Sequence, residues 1–102
     1  MKKVKVYVQN HLAGFLKETG EGKFIFTYRK NYLGSPVSLT MPIETRKYTF
    51  DQIPPFFEGL LPEGVHLESL LKMEKLDRRD YFSQLVTVGA DLVGDVTVRP
   101  LK

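Results

Sequence analysis

The chain of 102 residues contains no cysteine. This absence excludes a disulfide framework, a thiolate metal site and a thiol nucleophile, and it fits a reducing compartment. No apolar run approaches the length of a membrane span, and the first residues do not resemble a signal peptide. We therefore expect a cytoplasmic protein without disulfides and without a membrane segment.

Residues suited to catalysis or to metal binding are scarce as well. The two histidines, His11 and His66, share no metal-ligand spacing with each other or with a pair of carboxylates. The glycines of Thr19–Gly22 lack the lysine and the serine or threonine of a phosphate-binding loop. The segment Gly89–Asp95 has too few oxygen ligands for a calcium loop and is predicted to be a helix stop followed by a turn into the last strand. We expect no enzyme active site, no metal and no cofactor.

The composition is that of a globular protein, with 42% hydrophobic and 26% charged residues. A chain of this length can bury one hydrophobic core and fold without disulfides or metals. We therefore expect one domain that covers residues 1–102.

The net charge of +3 is mildly basic, and lysines and arginines are spread along the sequence. Nucleic-acid-binding proteins usually concentrate cationic residues on one face or in one block. Without such a block, aromatic residues such as Phe26, Tyr28 and Tyr32 are better explained as core than as a base-stacking platform. The sequence favours no direct contact with nucleic acid, and binding of a small molecule or a nucleic acid is the weaker hypothesis.

The first half of the chain is predicted to form antiparallel β-strands, because apolar residues recur there with a period of two. Residues 10–14 are predicted to form a turn before a second strand over residues 14–18. Residues 19–23 are predicted to form a glycine-containing turn. Residues 46–50 are predicted to be either a further extended segment or a lead into the helix that follows. The predicted inward-facing residues are Val4, Val6 and Val8, then Phe24, Phe26 and Tyr28, then Val37, Leu39 and Met41 in a short strand or extended segment.

The second half is predicted to be helical. In "IPPFFEGLLPEG", residues 53–64, the apolar spacing predicts a two-turn helix that Asp51 caps and Pro62 ends. A second helix is predicted over about residues 66–75. A third is predicted within residues 76–89, with Asp77 as its N-cap and Gly89 as its stop. The predicted inward residues are Ile53, Phe56, Phe57, Leu60 and Leu61, then Leu67, Leu70 and Leu71, then Tyr81, Phe82, Leu85 and Val86.

The chain closes with a predicted strand in which Val96 and Val98 alternate with polar residues. The order is thus strands, then helices, then one strand. This order predicts an α+β fold: a mostly antiparallel β-sheet with about three short helices packed on one side.

Four blocks of the sequence resemble the N-terminal subdomain of the HipA-type serine/threonine kinase toxins, and the resemblance runs from the first strand to Pro100. The blocks are "FTYRKNYL", "PVSLTMP", "FFEGLLPEG" and "GADLVGDVTVRP". The family carries a short run that ends in Leu-Leu-Pro-Glu, which corresponds to Phe56–Glu63 in this chain. A HipA kinase would continue beyond Lys102 into its catalytic portion. Because no phosphate-binding loop, catalytic aspartate or magnesium ligand is recognisable, we expect no kinase activity.

A separate protein of this kind resembles HipS, the small component of three-part HipB–HipS–HipT systems. The resemblance implies an antitoxin that binds and inhibits a HipT-like kinase toxin, together with a HipB-like helix-turn-helix DNA-binding protein. The alternative is a structural subdomain that supports the activity of a HipA-like kinase. We expect a flexible loop over Pro62–His66 to reach the kinase cleft, although restraint from outside the cleft is a competing mechanism. The predicted partner-binding residues are Glu58, Pro62, Glu63, Gly64, Val65 and His66.

Overall fold

The computed structural model describes residues 2–89 and 95–100. The elements are β1 (Lys2–Val8), β2 (His11–Glu18), β3 (Phe24–Tyr28), β4 (Lys47–Phe50), α1 (Pro55–Glu58), α2 (Gly64–Glu74), α3 (Tyr81–Val88) and β5 (Val96–Pro100). Within the described residues the strands pair in the order β4-β3-β2-β1-β5, and every neighbouring pair is antiparallel. The predicted α+β class is confirmed.

The core lies between the helices and one face of the sheet. Phe26 on β3 is fully buried, and its ring centroid lies 5.9 Å from that of Phe57 on α1. Phe24 stacks on Phe82 of α3 at 6.3 Å. These contacts bury apolar surface, the main favourable contribution to folding. Alternation correctly predicted the buried strand residues Val4, Val6, Val8, Phe24, Phe26, Tyr28, Val96 and Val98.

The first hairpin is tighter than the sequence suggested. Gln9 and Asn10 both have positive φ, 50° and 69°, and form a two-residue turn of the type that matches the twist of paired strands. The prediction of a turn over residues 10–14 was therefore wrong, since β2 already begins at His11. The register shifts at Ala13, a buried bulge residue whose carbonyl accepts a hydrogen bond of 2.7 Å from the backbone N–H of Arg29.

The segment with Val37, Leu39 and Met41 is a turn and not a strand. The Met41 N–H donates to the Ser38 carbonyl at 3.0 Å, and the turn leaves Leu39 95% exposed while Val37 and Met41 are buried. The expected alternation fails because these two residues anchor a loop on the core. The Tyr28 hydroxyl ties this loop to β3, since it accepts a hydrogen bond of 2.9 Å from the Val37 N–H and donates to the Met41 carbonyl.

We predict that stability falls in alkaline solution because of Tyr28. Burial raises the pKa of its hydroxyl above the usual value of 10.0. The folded state holds this proton more tightly than the unfolded state, so the contribution is complete below about pH 10 and lost as the pH rises further. Urea unfolding at neutral and alkaline pH measures the effect.

The control for this prediction is Tyr28→Phe. This variant should be less stable at neutral pH by about 1–3 kcal/mol, because the Val37 N–H and the Met41 carbonyl lose their partner. It should also lose less stability in alkali than the parent chain. Buried Tyr32, whose pKa is raised by burial too, keeps part of the alkaline effect. Equal alkaline losses in the two chains would contradict the assignment to Tyr28.

The helices keep the predicted order but differ in their ends. Helix α1 spans only Pro55–Glu58 and continues as a tight turn, in which the Leu61 N–H donates to the Glu58 carbonyl at 3.1 Å. The predicted cap at Asp51 was wrong, because Pro54 is the N-cap and Pro55 fixes the first turn. The apolar stripe itself is real: Ile53, Phe57 and Leu61 are buried, and Phe56 and Leu60 are partly buried.

Helix α3 begins three residues later than predicted. Its N-cap is Asp80, whose side chain accepts a hydrogen bond of 3.1 Å from the Ser83 N–H, so the predicted cap at Asp77 was wrong. Gly89 does end the helix, as predicted. The turn predicted over Gly89–Asp95 lies largely outside the described residues. Over residues 2–89 and 95–100, no helix is both long and apolar enough to cross a bilayer.

Candidate functional site

An open groove lies where the three helices approach one another, and we call it the helical groove. It encloses about 600 Å³. The end of α1 and the connection to α2 form one wall, and the start of α3 forms the other. The groove is lined by Pro55, Glu58, Gly59, Leu61, Pro62, Glu63, Gly64, Leu67, Arg78, Tyr81 and Gln84.

The first wall is held rigidly by the core beneath it. Phe57 is fully buried and Leu61 is 7% exposed, so the backbone between them is fixed and presents Glu58 outward. Pro62 and Glu63 then lead into α2. Gly64 has φ 58°, a left-handed conformation that side chains disfavour, and this allows the chain to turn directly into the helix.

The structure brings together four of the six predicted partner-binding residues. Glu58, Pro62, Glu63 and Gly64 all line the helical groove. Val65 and His66 lie on the adjoining first turn of α2, facing solvent, and Val65 is 79% exposed. The exposed apolar side chain of Val65 therefore lies beside the groove and not in it.

The prediction of a flexible loop over Pro62–His66 was wrong in its extent. Gly64, Val65 and His66 belong to α2, which spans Gly64–Glu74. The connection between α1 and α2 therefore has only a few non-helical residues. A glycine after a proline usually favours a loop, whereas in this chain the positive φ of Gly64 lies at the start of a helix. The projecting feature is a helix end, which is more ordered than a free loop.

The second wall consists of residues that were not among the predicted partner-binding residues. Arg78 forms an exposed ion pair with Glu68 of α2. Gln84 is 1% exposed, and its amide donates to the carbonyls of Asp77 at 2.9 Å and Arg78 at 3.1 Å. These two bonds hold the backbone that presents Arg78. The signal in the sequence that points to this wall is Gln84, a polar residue that lies between the apolar residues Phe82 and Leu85.

The groove has two acidic residues on one wall and a cation on the other. Glu63 is the N-cap residue of α2, yet its side chain makes no capping hydrogen bond. Its carboxylate is therefore not used to satisfy the helix end. Among residues 2–89 and 95–100, no group of three potential ligands is placed to hold a metal ion. The groove therefore offers two carboxylates and one guanidinium among its lining side chains.

Comparison with known proteins identifies the family. Residues 4–99 match the family model described as the HipA N-terminal domain. The chain belongs to the HipA N-terminal domain family. An uncharacterized protein of Haemophilus influenzae is 33% identical over 98 residues, which cover 96% of this chain and 92% of that protein.

A solved structure described as the N-terminal domain of HipA toxin has the same fold. It superposes with a TM-score of 0.80 at 29% sequence identity, and the match covers 100% of this chain and 94% of that chain. The resemblance predicted from the four sequence blocks is confirmed. The helical groove is therefore a feature of a HipA N-terminal domain.

Proposed function

We propose that this protein is an antitoxin that binds a HipT-like serine/threonine kinase toxin and inhibits it by protein–protein contact in the cytoplasm. It has no chemistry of its own and takes no cofactor. A HipB-like helix-turn-helix protein joins the same complex and supplies sequence-specific DNA binding. Membership of the HipA N-terminal domain family supports a partner of the HipA kinase type. The observation that supports the proposal is the helical groove, with the exposed apolar side chain of Val65 beside it.

The chemistry of the groove supports the cleft of the kinase as its target. A kinase binds nucleotide phosphates with lysine and metal cations, so its cleft is electropositive. Glu58 and Glu63 line one wall of the groove, and neither side chain forms an ion pair within the described residues. Their carboxylates complement such a cleft, while Val65 adds apolar contact surface beside them. Restraint of the kinase from outside its cleft is the competing mechanism.

Mutation of the projecting helix end tests this mechanism. We predict that Glu63→Ala, Val65→Ala and His66→Ala together weaken inhibition of the partner kinase about tenfold or more, as expected if interface anchors are lost. The measurement is autophosphorylation or substrate phosphorylation by the kinase at increasing concentrations of this protein. All three positions are exposed, so the fold should be unaffected.

The matched control is Lys72→Ala, Met73→Ala and Glu74→Ala at the other end of the same helix. These residues are also exposed, and Met73 is 77% exposed. The control should inhibit as well as the parent protein. If the first variant also inhibits fully, the helix end does not enter the cleft, although an antitoxin that restrains the kinase from outside would still agree with that result.

A second candidate function is structural support of an active HipA-like kinase. It is favoured by the solved structure with the same fold, which is described as a domain of HipA toxin itself. Co-expression with the kinase separates the two functions. An antitoxin restores growth of cells that produce the kinase, whereas a supporting subdomain is required before the kinase phosphorylates its substrate.

A further inference from the structure

The face of the sheet that points away from the helices collects cationic residues. We call it the outer sheet face. Strand residues that alternate with the buried Val4, Val6 and Leu16 point to this side. The sheet register then brings distant parts of the sequence together. The cations of the outer sheet face are Lys3, Lys5, Lys17, Lys47 and Arg99.

The sequence disfavours nucleic-acid binding because its cations form no single block, but the fold brings several of them together. The cationic residues are spread along the sequence, but pairing of the strands places five of them on one surface. Among residues 2–89 and 95–100, the strands place no aspartate or glutamate on the outer sheet face. Since the whole chain carries +3 and this face carries +5, the remainder of the chain carries −2.

Two directly opposed pairs on this face carry like charges. Lys3 lies opposite Lys17 in the β1–β2 register, and Lys5 lies opposite Arg99 in the β1–β5 register. Like charges placed directly opposite each other across strands destabilise a sheet. The sheet therefore carries a repulsion that a bound polyanion would relieve.

Two partly exposed aromatic rings lie among these cations. The Lys3 ammonium lies 4.7 Å from the centre of the Phe15 ring, and the Arg99 guanidinium lies 5.6 Å from that of Tyr7. Both rings are neither buried nor fully exposed. Aromatic side chains beside cations on an open surface are the usual platform for stacking bases of a single strand.

We propose that the outer sheet face binds single-stranded nucleic acid, with the cations on the phosphate backbone and Tyr7 and Phe15 available for stacking. Four of its five cations are lysines, which protein–protein interfaces generally disfavour but which suit phosphate as point charges. A sheet of five strands is too broad to enter a groove of duplex DNA, which admits a helix or a two-stranded ribbon. The proposal is independent of the proposed function, because the helical groove lies on the opposite side of the sheet.

Fluorescence anisotropy with a labelled single-stranded oligonucleotide tests the proposal on the full chain. If all five cations contact phosphates, affinity should fall about a hundredfold between about 50 and 200 mM salt. Replacing Lys3, Lys5 and Lys17 by glutamine should reduce the slope of log affinity against log salt by about 2. A duplex of the same sequence should bind more weakly than the single strand.

The matched control removes three cations from the helical side: Lys72→Gln, Lys75→Gln and Arg79→Gln. It should bind like the parent chain, although its net charge equals that of the sheet variant. Equal losses in the two variants would show non-specific attraction by net charge and overturn the proposal. Tighter binding of the duplex would overturn it as well, because a flat stacking surface prefers unpaired bases.

A charge reversal separates binding from folding. Lys17→Glu places a carboxylate opposite Lys3 and replaces a repulsive pair by an attractive one. We expect a higher melting temperature together with weaker binding of the single strand. Binding unchanged by this substitution would overturn the proposal, and a rise in melting temperature excludes misfolding as the reason for any loss.

Discussion

Replacing Phe57 by alanine is expected to lower the free energy of unfolding by about 3–5 kcal/mol, the usual cost of truncating a buried phenylalanine. The side chain is fully buried. Its ring packs against Phe26 of the central part of the sheet, with 5.9 Å between the ring centroids. Phe57 therefore joins the first helix to the sheet. The segment that carries Phe57 is short and bounded by prolines, so we expect that it cannot move to fill the cavity left by the substitution.

The neighbouring Phe56 provides the matched control. It is only partly buried, and its ring meets Phe57 edge to face at 5.3 Å. Phe56→Ala should therefore cost clearly less than Phe57→Ala in urea unfolding. Equal losses for the two variants would contradict the view that Phe57 anchors α1. The Phe57 variant should also inhibit the partner kinase less, because α1 forms one wall of the helical groove.

The strands were predicted well from the sequence because their signal is local. A period of two decides which side of a strand is buried, and this held for β1, β3 and β5. It failed at Leu39, because the same alternation in a turn leaves the middle residue exposed. The tertiary bonds from the Tyr28 hydroxyl decide the conformation there, and such bonds cannot be inferred from spacing.

Helix ends and the candidate site were predicted less completely. Asp77 and Asp80 are both suitable N-caps in the sequence, and in the structure it is Asp80 that caps α3, with its side chain accepting from the Ser83 N–H. Four of the predicted partner-binding residues line the groove, and all four lie within one short segment, Glu58–Gly64. The opposite wall, with Arg78 and Gln84, comes from a later segment that the fold brings near. No local pattern could have placed it there.

The two surfaces proposed for binding differ in how the sequence encodes them. One wall of the helical groove comes from one compact motif, which contains Glu58, Pro62, Glu63 and Gly64, four of the residues predicted to bind the partner. The outer sheet face depends on residues as distant as Lys3 and Arg99, which only the β1–β5 and β1–β2 pairings combine. The positions of the cations in the sequence do not reveal such a surface, because they are spread along the chain. Strand alternation turns them to one side of the sheet, and strand pairing brings them together.

Replacing Gly14 by alanine is expected to destabilise the fold by about 3 kcal/mol or more, at or above the upper end of the usual cost of overpacking. A Cβ atom at this position would lie 2.3 Å from the Thr27 carbonyl oxygen and 3.0 Å from the Tyr28 Cα atom. Both are backbone atoms of the paired strand β3, so no side-chain rotation can relieve the clash. The strand itself would have to move.

The control is Gly20→Ala in the turn between β2 and β3, where an added Cβ meets no atom within 4 Å. This variant should change the free energy of unfolding by no more than about 0.5 kcal/mol, as surface substitutions usually do. Urea unfolding measures both variants, and equal stabilities would contradict the close approach of β2 and β3 at Gly14. Since the displaced strand carries Tyr28, the Gly14 variant should also release the loop that the Tyr28 hydroxyl holds, and its Val37 amide should exchange hydrogen faster.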